Sequence, residues 1–426
     1  MKYKNYILPY GVKLRYVKNN ISKTTNVEIT FDCGSRCEKI PGLAHFTEHM
    51  FFTGTKNLNK EEVTKKYFDF INVNASTNYN RIRFVGNVLT KEFEDYCSTV
   101  AMLITESTFS QKNVDKEIGI VQQEIARYED KFNFHATAFN DYNISGLEEY
   151  KYKMLGTKDT VASIKSKDVK EYVKKYFVLE NMEVYVSSPL SLKKVKDIIV
   201  KTLVAKLKSN KEFKELPLYN FQVNNTNFLT IETKDIKKSY IYLNFPINRK
   251  DDDFEFKKKF GLAVYMMNDH SEGISKEIRL NKSLVYGCSF YTTFTDKKGL
   301  ITFVTECEKK NVNAVIETVA EYIKNLLKNG FTAEQLRKAK RLYKHRDDAE
   351  EPSVGRELSN LKNYKYFGKV ISNKWLKKLA LSTTLEECNK YFKEVFEKTE
   401  VSASIYGDAT KEDIISKDEL NKLFKF

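Results

Sequence analysis

The chain has 426 residues, which suits two domains of ordinary size better than one hydrophobic core. Hydrophobic residues make up 41% of it and prolines number only six, so a largely disordered chain is excluded. The net charge of +15 could suit nucleic acid, but the lysines are dispersed along the chain, and we expect no nucleic-acid partner.

The amino-terminal stretch "MKYKNYILPYGVKLRYVKNN" has no apolar core of the kind that marks a secretory signal. No apolar run approaches the roughly 20 residues that a membrane span requires, so we expect no membrane span and a cytoplasmic protein. Six cysteines are scattered along the chain, which is typical of reduced thiols. The one close pair, Cys33 and Cys37, follows the strand-like "NVEITFDC", and we expect two free thiols rather than a metal or redox pair.

The stretch "GLAHFTEHMFFTGT", residues 42–55, places His45, Glu48 and His49 within five positions of a chain with only five histidines. Its apolar periodicity and lack of proline predict a helix, on which residues four apart share a face. Two imidazoles there suit zinc, and a carboxylate beside the metal can take a proton from water. The order H-x-x-E-H is the inverted zincin motif.

The alternative is a pair of partly buried, hydrogen-bonded histidines on an ordinary helix. By chance this chain would contain only about 0.008 such windows, so the motif is a specific hypothesis. The other histidines, His135, His270 and His345, have no partner at ligand spacing. We therefore expect surface or ordinary hydrogen-bonding roles for these three.

The same order of elements occurs twice along the chain. "RIRFVGNVLTKEFEDYCSTVAMLITESTFSQ" and "GLITFVTECEKKNVNAVIETVAEYIKNLLKNGFTAEQ" each predict a strand, a long helix and the start of a second helix. Residues 166–198 and 384–414 each predict helix, strand and helix. Period-2 alternation predicts strands at "NVEITF", "SYIYLNF", "VYVSS" and "SASIYG". The repeat predicts an α+β fold of two homologous domains, 1–212 and 213–426, each a largely antiparallel sheet covered by helices.

The helix opened by "TFSQKNVDKEIGIVQQEIARYED" carries Glu117 and Glu124. The two are seven apart, about two helical turns, so both carboxylates face the same way. Either could reach a metal held by the first helix. Exposure on a surface helix is the alternative for each of them.

"GSRCEKIPGLAHFTEHMFFTGT" resembles the zinc-site block of the pitrilysin-type (M16) zinc peptidases, which include insulin-degrading enzyme and mitochondrial processing peptidase. The resemblance implies the pitrilysin-like metallohydrolase fold and one zinc ion per chain. It makes Glu124, 75 residues after His49, the third ligand beside His45 and His49. It also makes Glu117 a second glutamate that supports the site.

The resemblance extends over most of the chain. "NASTN" matches the family's active-site edge strand, which implies that Asn74, Ala75 and Ser76 bind substrate by strand pairing. "IRLNKSLVYGCSF" resembles the family's arginine-tyrosine element, which implies that Arg279 holds the substrate backbone and Tyr286 helps to stabilise the oxyanion. A solvated arginine and a half-buried tyrosine are the alternative.

These features predict a zinc-dependent endopeptidase that hydrolyses peptides or unfolded segments in a chamber, with Glu48 as general base. The alternative is a noncatalytic or peptide-binding subunit of a heterodimeric processing peptidase. The intact H-x-x-E-H residues argue against it, because such subunits characteristically lose them.

The chain length matches the short members of the family, in which two copies form the chamber. We therefore expect a homodimer in which Arg279 and Tyr286 act on the partner's metal centre. A heterodimer with an inactive relative is the alternative.

Overall fold

A computed structural model describes residues 3–20, 23–67, 73–129, 131–152, 154–215, 221–250, 252–295, 297–349 and 371–426. The strands are β1 (Tyr3–Ile7), β2 (Lys13–Lys18), β3 (Thr24–Phe31), β4 (Asn74–Thr77), β5 (Ile82–Leu89), β6 (Met182–Ser188), β7 (Leu229–Thr233), β8 (Ser239–Ile247), β9 (Cys288–Phe294), β10 (Gly299–Cys307) and β11 (Ser402–Gly407). The helices are α1 (Leu43–Met50), α2 (Lys60–Tyr67), α3 (Phe93–Glu106), α4 (Gln111–Glu129), α5 (Phe132–Ser145), α6 (Glu149–Tyr152), α7 (Lys158–Ser163), α8 (Ser166–Tyr176), α9 (Leu192–Ile199), α10 (Phe254–Met267), α11 (Val312–Asn329), α12 (Ala333–Ala349), α13 (Asn373–Ser382), α14 (Leu385–Phe396) and α15 (Lys417–Leu423).

The described residues form two compact units. Those up to 129 and from 152 to 215, with Ile371, form the first, and those in 131–151, 221–349 and 372–426 form the second. Helix α5 therefore belongs to the second unit although it lies in the first half of the sequence. The domain boundary at residues 212 and 213 stays a prediction, and residues 216–220, shortly after it, lie outside the described residues.

The first unit is built on a six-stranded sheet in the order β1-β2-β6-β3-β5-β4. Every neighbouring pair is antiparallel except β2 and β6, which are parallel. Alternate residues of each central strand, such as Val27, Ile29 and Phe31 of β3, enter one core with helices α1, α3, α8 and α9. This alternation is the period-2 pattern that predicted these strands.

The second unit repeats this arrangement. Its five-stranded sheet has the order β7-β11-β8-β10-β9, in which only β7 and β11 are parallel. That order is the same as β2-β6-β3-β5-β4 of the first sheet, so the predicted internal repeat is confirmed at the level of topology. One face packs on α10, α11 and α14, and the other carries three tyrosines of β8 and β11 against α5.

The α+β prediction is confirmed, and so are the strands predicted from "NVEITF", "SYIYLNF", "VYVSS" and "SASIYG". All six cysteines are free thiols, with Cys33 buried and Cys37 half-buried. Within the described part of the chain, no helix combines the length and the hydropathy that crossing a bilayer demands.

Candidate metal centre

Helix α1 begins at a turn that only glycine fits. Gly42 has φ of +94°, and a Cβ at this position would lie 2.5 Å from the carbonyl oxygen of Leu155. The half-buried Glu38 carboxylate accepts from the N–H groups of Gly42 and Ala44, each at 2.8 Å. These bonds satisfy amides that a helix start leaves without partners, and they set the direction in which α1 enters the site.

The two faces of α1 have different environments. Leu43, Phe46 and Met50 are buried in the core of the first unit, and burial of a side chain of this size contributes about 1.5–3 kcal/mol. His45 and His49 lie on the opposite face, with their ring centroids 4.6 Å apart. The predicted helix and its shared histidine face are therefore present.

Helix α4 supplies both glutamates. Val114 and Val121 pack its inner face into the core, and the Asn113 amide donates to the Thr53 carbonyl at 3.1 Å, which ties α4 to the segment after α1. Glu117 and Glu124 emerge beside this buried face, toward the histidines.

Three side chains converge on one point. The Nε2 atoms of His45 and His49 lie 3.8 and 3.5 Å from Oε2 of Glu124, and the three donor atoms are within 4.8 Å of one another. Two ligands about 2.1 Å from a tetrahedral zinc lie roughly 3.4 Å apart, so the separations and the donor types fit this metal. Among the described residues these three side chains form a group that could hold a metal ion. Their roles as zinc ligands stay predictions.

Glu117 orients His49. Its Oε1 lies 3.0 Å from Nδ1 of His49, so the ring donates from Nδ1 and presents Nε2 to Glu124. Its Oε2 accepts from Nζ of Lys60 at 2.8 Å. By contrast, Nδ1 of His45 is buried and has no hydrogen-bond partner among the described residues.

The local charges favour a cation. Burial, with a contribution from His49, lowers the pKa of His45 to about 3, so this imidazole is neutral and available as a ligand. Burial opposes a charge on His49, but its bond to Glu117 and the nearby carboxylates raise its pKa. Burial also opposes a charge on Glu117 and by itself would raise the pKa of this carboxyl. Hydrogen bonds from His49 and Lys60 outweigh burial and lower the pKa, so this carboxylate is ionised.

Glu48 lies beside the same site and is hydrogen-bonded to strand β4. Its Oε2 accepts from the Thr77 hydroxyl at 2.5 Å, and Thr77 is the last residue of β4. Burial raises the pKa of Glu48, although the Thr77 bond and the charges of His49 and Arg83 oppose this shift. A carboxylate with a raised pKa beside a metal site can serve as a general base near neutral pH.

The predicted substrate strand, β4, lies at one edge of the first sheet. Within the described residues β4 pairs on one side with β5, from Asn74 to Thr77. Asn74 is exposed, Ala75 is buried, and Ser76 accepts from the Arg83 side chain at 2.6 Å. The substrate-binding roles of these residues stay predictions.

Arg279 and Tyr286 lie in the second unit. Arg279 is in a short π-helical turn, Lys276–Asn281, and its guanidinium lies 4.8 Å from the centre of the Tyr286 ring. Tyr286 is 83% exposed, and both side chains reach solvent. The structure brings the pair together, and its action on a metal centre stays a prediction.

Sequence reasoning missed three residues. Thr77 is in the "NASTN" block, but nothing in its spacing indicated a bond to Glu48, 29 positions away. Lys60 had no signal in a pattern, because its contact depends on how α2 and α4 pack. Glu38 bonds locally to the start of α1, through a bend in the chain that no periodicity indicated.

Comparison with known proteins identifies relatives of the chain. A family model described as "Insulinase (Peptidase family M16)" matches residues 15–147, and one described as "Peptidase M16 inactive domain" matches residues 163–343. An uncharacterized zinc protease YmxG of Bacillus subtilis is 24% identical over 79% of this chain and 81% of its own. A probable mitochondrial-processing peptidase subunit beta of Arabidopsis thaliana is 27% identical over 48% of this chain and 39% of its own.

A further relative has a different name. It is a "Non-peptidase homolog YmxG" of Helicobacter pylori, 20% identical over 87% of this chain and 85% of its own. Among solved structures, a peptidase M16 inactive domain from Pseudomonas fluorescens superposes with a TM-score of 0.79 and 15% identity. That superposition covers 96% of this chain and 99% of the other, so the fold is shared over nearly its whole length.

Proposed function

The chain belongs to peptidase family M16, and from this premise we propose that it is a zinc-dependent endopeptidase that hydrolyses peptides or unfolded segments. The observation that carries the proposal is the convergence of His45, His49 and Glu124 beside Glu48. Zinc held there would activate water and polarise a peptide carbonyl.

Each side chain has a separate task in this proposal. His45, His49 and Glu124 hold the metal. Glu48 removes a proton from the attacking water and delivers it to the leaving amine nitrogen, while Thr77 keeps its carboxylate in place.

The peptide would add to the sheet as a strand beside β4. Backbone pairing gives affinity without demanding one sequence, so we propose broad specificity. Arg279 would hold the peptide backbone and Tyr286 would donate to the developing oxyanion, each from the second unit of a partner copy.

The second candidate is a noncatalytic, peptide-binding subunit of a heterodimer. The relative named as a non-peptidase homolog favours it. Two observations favour catalysis in this chain. His45, His49 and Glu124 are all present at one point, and the Glu48 carboxylate is held by a hydrogen bond from Thr77.

Substitution of Glu48 by Gln tests the proposal. It removes the base and keeps every ligand, so we expect normal zinc content and hydrolysis of a peptide library reduced by at least about 10²-fold. Metal analysis and mass spectrometry of the cleavage products measure the two results. Near-normal turnover in this variant would contradict the assigned mechanism.

A further inference from the structure

Lys60 contacts the buried side of the metal centre. It is the first residue of α2, and its Nζ donates to Oε2 of Glu117 at 2.8 Å. The other oxygen of the same carboxylate lies 3.0 Å from Nδ1 of His49. A single carboxylate is therefore held by a lysine on one side and holds a metal ligand on the other.

The burial of the two partners is unequal. The Glu117 side chain is 5% exposed, whereas that of Lys60 is 52% exposed. A buried carboxylate is costly unless both oxygens are hydrogen-bonded, and here His49 and Lys60 provide those bonds. Without Lys60, Oε2 of Glu117 would lose its partner, and the carboxylate could turn away from His49.

We propose that Lys60 is a positioning residue for the zinc ligand His49 and acts on it through Glu117. The inference rests on the zinc site of the proposed function, but it concerns metal affinity and does not require that the protein cleave peptides. It assigns α2 a part in holding the metal centre, because this helix brings Lys60 to Glu117.

Two effects of Lys60 on zinc have opposite signs. Its positive charge repels a cation, so removal of that charge alone would tighten zinc binding. The ammonium is half exposed, however, and water screens such a charge strongly. Loss of a hydrogen-bonding partner behind a ligand usually costs about 10- to 100-fold in metal affinity. We therefore expect the loss of positioning to outweigh the loss of repulsion. Weaker zinc binding after removal of Lys60 would indicate positioning, and tighter zinc binding would indicate repulsion.

The experiment measures zinc affinity of the chelator-stripped full chain by competition with a chromophoric chelator. We expect Lys60→Met to bind zinc about tenfold more weakly, the lower end of that range because Lys60 acts through Glu117. Lys60→Arg keeps the charge and donors and should bind within about threefold of the wild type. Lys65→Met is the matched control, since Lys65 is an exposed lysine of the same helix, and it should bind normally.

A double-mutant cycle tests the route through Glu117. If Lys60 acts only by holding this carboxylate, Lys60→Met should cause no further loss of affinity in a Glu117→Gln background. Circular dichroism of each metal-free variant checks folding, and Lys60→Leu, which also lacks a donor, replaces Lys60→Met if the latter does not fold.

Three outcomes would overturn the inference: unchanged or tighter zinc binding by Lys60→Met, losses that simply add in the double mutant, or no zinc binding by the wild type. Hydrolysis is measured separately. A wild type that binds zinc but cleaves no peptide would remove the proposed function and leave this inference in place.

Discussion

At the scale of single residues, the metal centre depends on side chains whose partners restrict them. His49 is oriented by Glu117, and Glu48 is held by Thr77. Contacts of this kind, made by residues that do not bind the metal themselves, fix the orientation of the side chains at a metal site. Two predictions follow, one for a ligand and one for the base.

Substitution of His49 by Ala should abolish stoichiometric zinc binding. It removes one of three ligands and leaves the buried Glu117 without its imidazole partner. Elemental analysis of the purified variant measures this. His270→Ala, at an exposed histidine outside the cluster, should retain one zinc per chain. Retention of full zinc by the His49 variant would show that the ligand assignment is wrong.

Substitution of Thr77 by Val should lower kcat roughly tenfold and change KM by less than about twofold, because it releases the base without altering the sheet edge. Thr77→Ser keeps the hydroxyl and should retain most of the activity. Steady-state kinetics on one cleaved peptide, with zinc content measured in parallel, give the comparison. Equal kcat values for the Val and Ser variants would exclude this role for the hydroxyl.

At the scale of elements, α1 carries the motif and Glu38 determines how the helix starts. Both oxygens of this half-buried carboxyl accept hydrogen bonds from backbone N–H groups, at Gly42 and Ala44. An amide at position 38 has a single acceptor, so one N–H of the helix start would face an NH₂ group instead. The consequence should appear as lost stability of the first unit.

We expect Glu38→Gln to destabilise the protein by about 1–3 kcal/mol, the usual cost of an unsatisfied buried donor. Urea unfolding of the metal-free protein measures the loss. Glu61→Gln, at an exposed glutamate in the first turn of α2, is the matched control and should change stability by less than about 0.5 kcal/mol. Equal stability of the two variants would contradict the role of Glu38.

The stability difference should also depend on pH. Burial outweighs the two N–H bonds and raises the pKa of Glu38 from 4.5 to about 7. Between these values the folded protein binds a proton that the unfolded chain does not, so this group's contribution is present at low pH and lost as pH rises toward 7. The wild type should therefore exceed Glu38→Gln in unfolding free energy by more at pH 5 than at pH 7.5. A larger difference at pH 7.5 would show that Glu38 is ionised in the folded protein throughout this range.

At the scale of the whole molecule, the proposed zinc ligands are in the first compact unit and the arginine-tyrosine pair is in the second. A family member of this length that carries both elements is expected to form a homodimer with a shared chamber. The homodimer, the alternative heterodimer with an inactive relative and the cytoplasmic location all stay predictions.

Mixing two inactive variants tests the assembly. Glu48→Gln and Tyr286→Phe chains should each be nearly inactive, but mixed dimers should regain one complete site from the zinc centre of one chain and Tyr286 of the other. Peptidase activity after confirmed subunit exchange measures this. A mixture of Glu48→Gln and His49→Ala is the matched control and should stay inactive, because both zinc centres are then defective. No recovery in the first mixture would exclude action across the dimer.

The sequence by itself determined the features that depend on residue spacing over a few positions, namely the helices and strands. The four-residue spacing of His45 and His49 predicted a shared helix face, and alternating apolar residues predicted the strands, because helix and strand periods are local properties of the backbone. Comparison of the two halves also predicted a duplicated α+β architecture, and the two sheets share one strand order.

The family resemblance named Glu117 as a supporting residue, but only the tertiary structure decided which atoms it contacts. Glu117 and His49 are 68 positions apart, and Lys60 and Glu117 are 57 apart, so their contacts depend on how α1, α2 and α4 pack. The placement of α5 against the second sheet was equally hidden, because its sequence does not specify which of two similar sheets it covers. Periodicity identifies the face that an element buries, but the partner of that face is determined by packing of the whole chain.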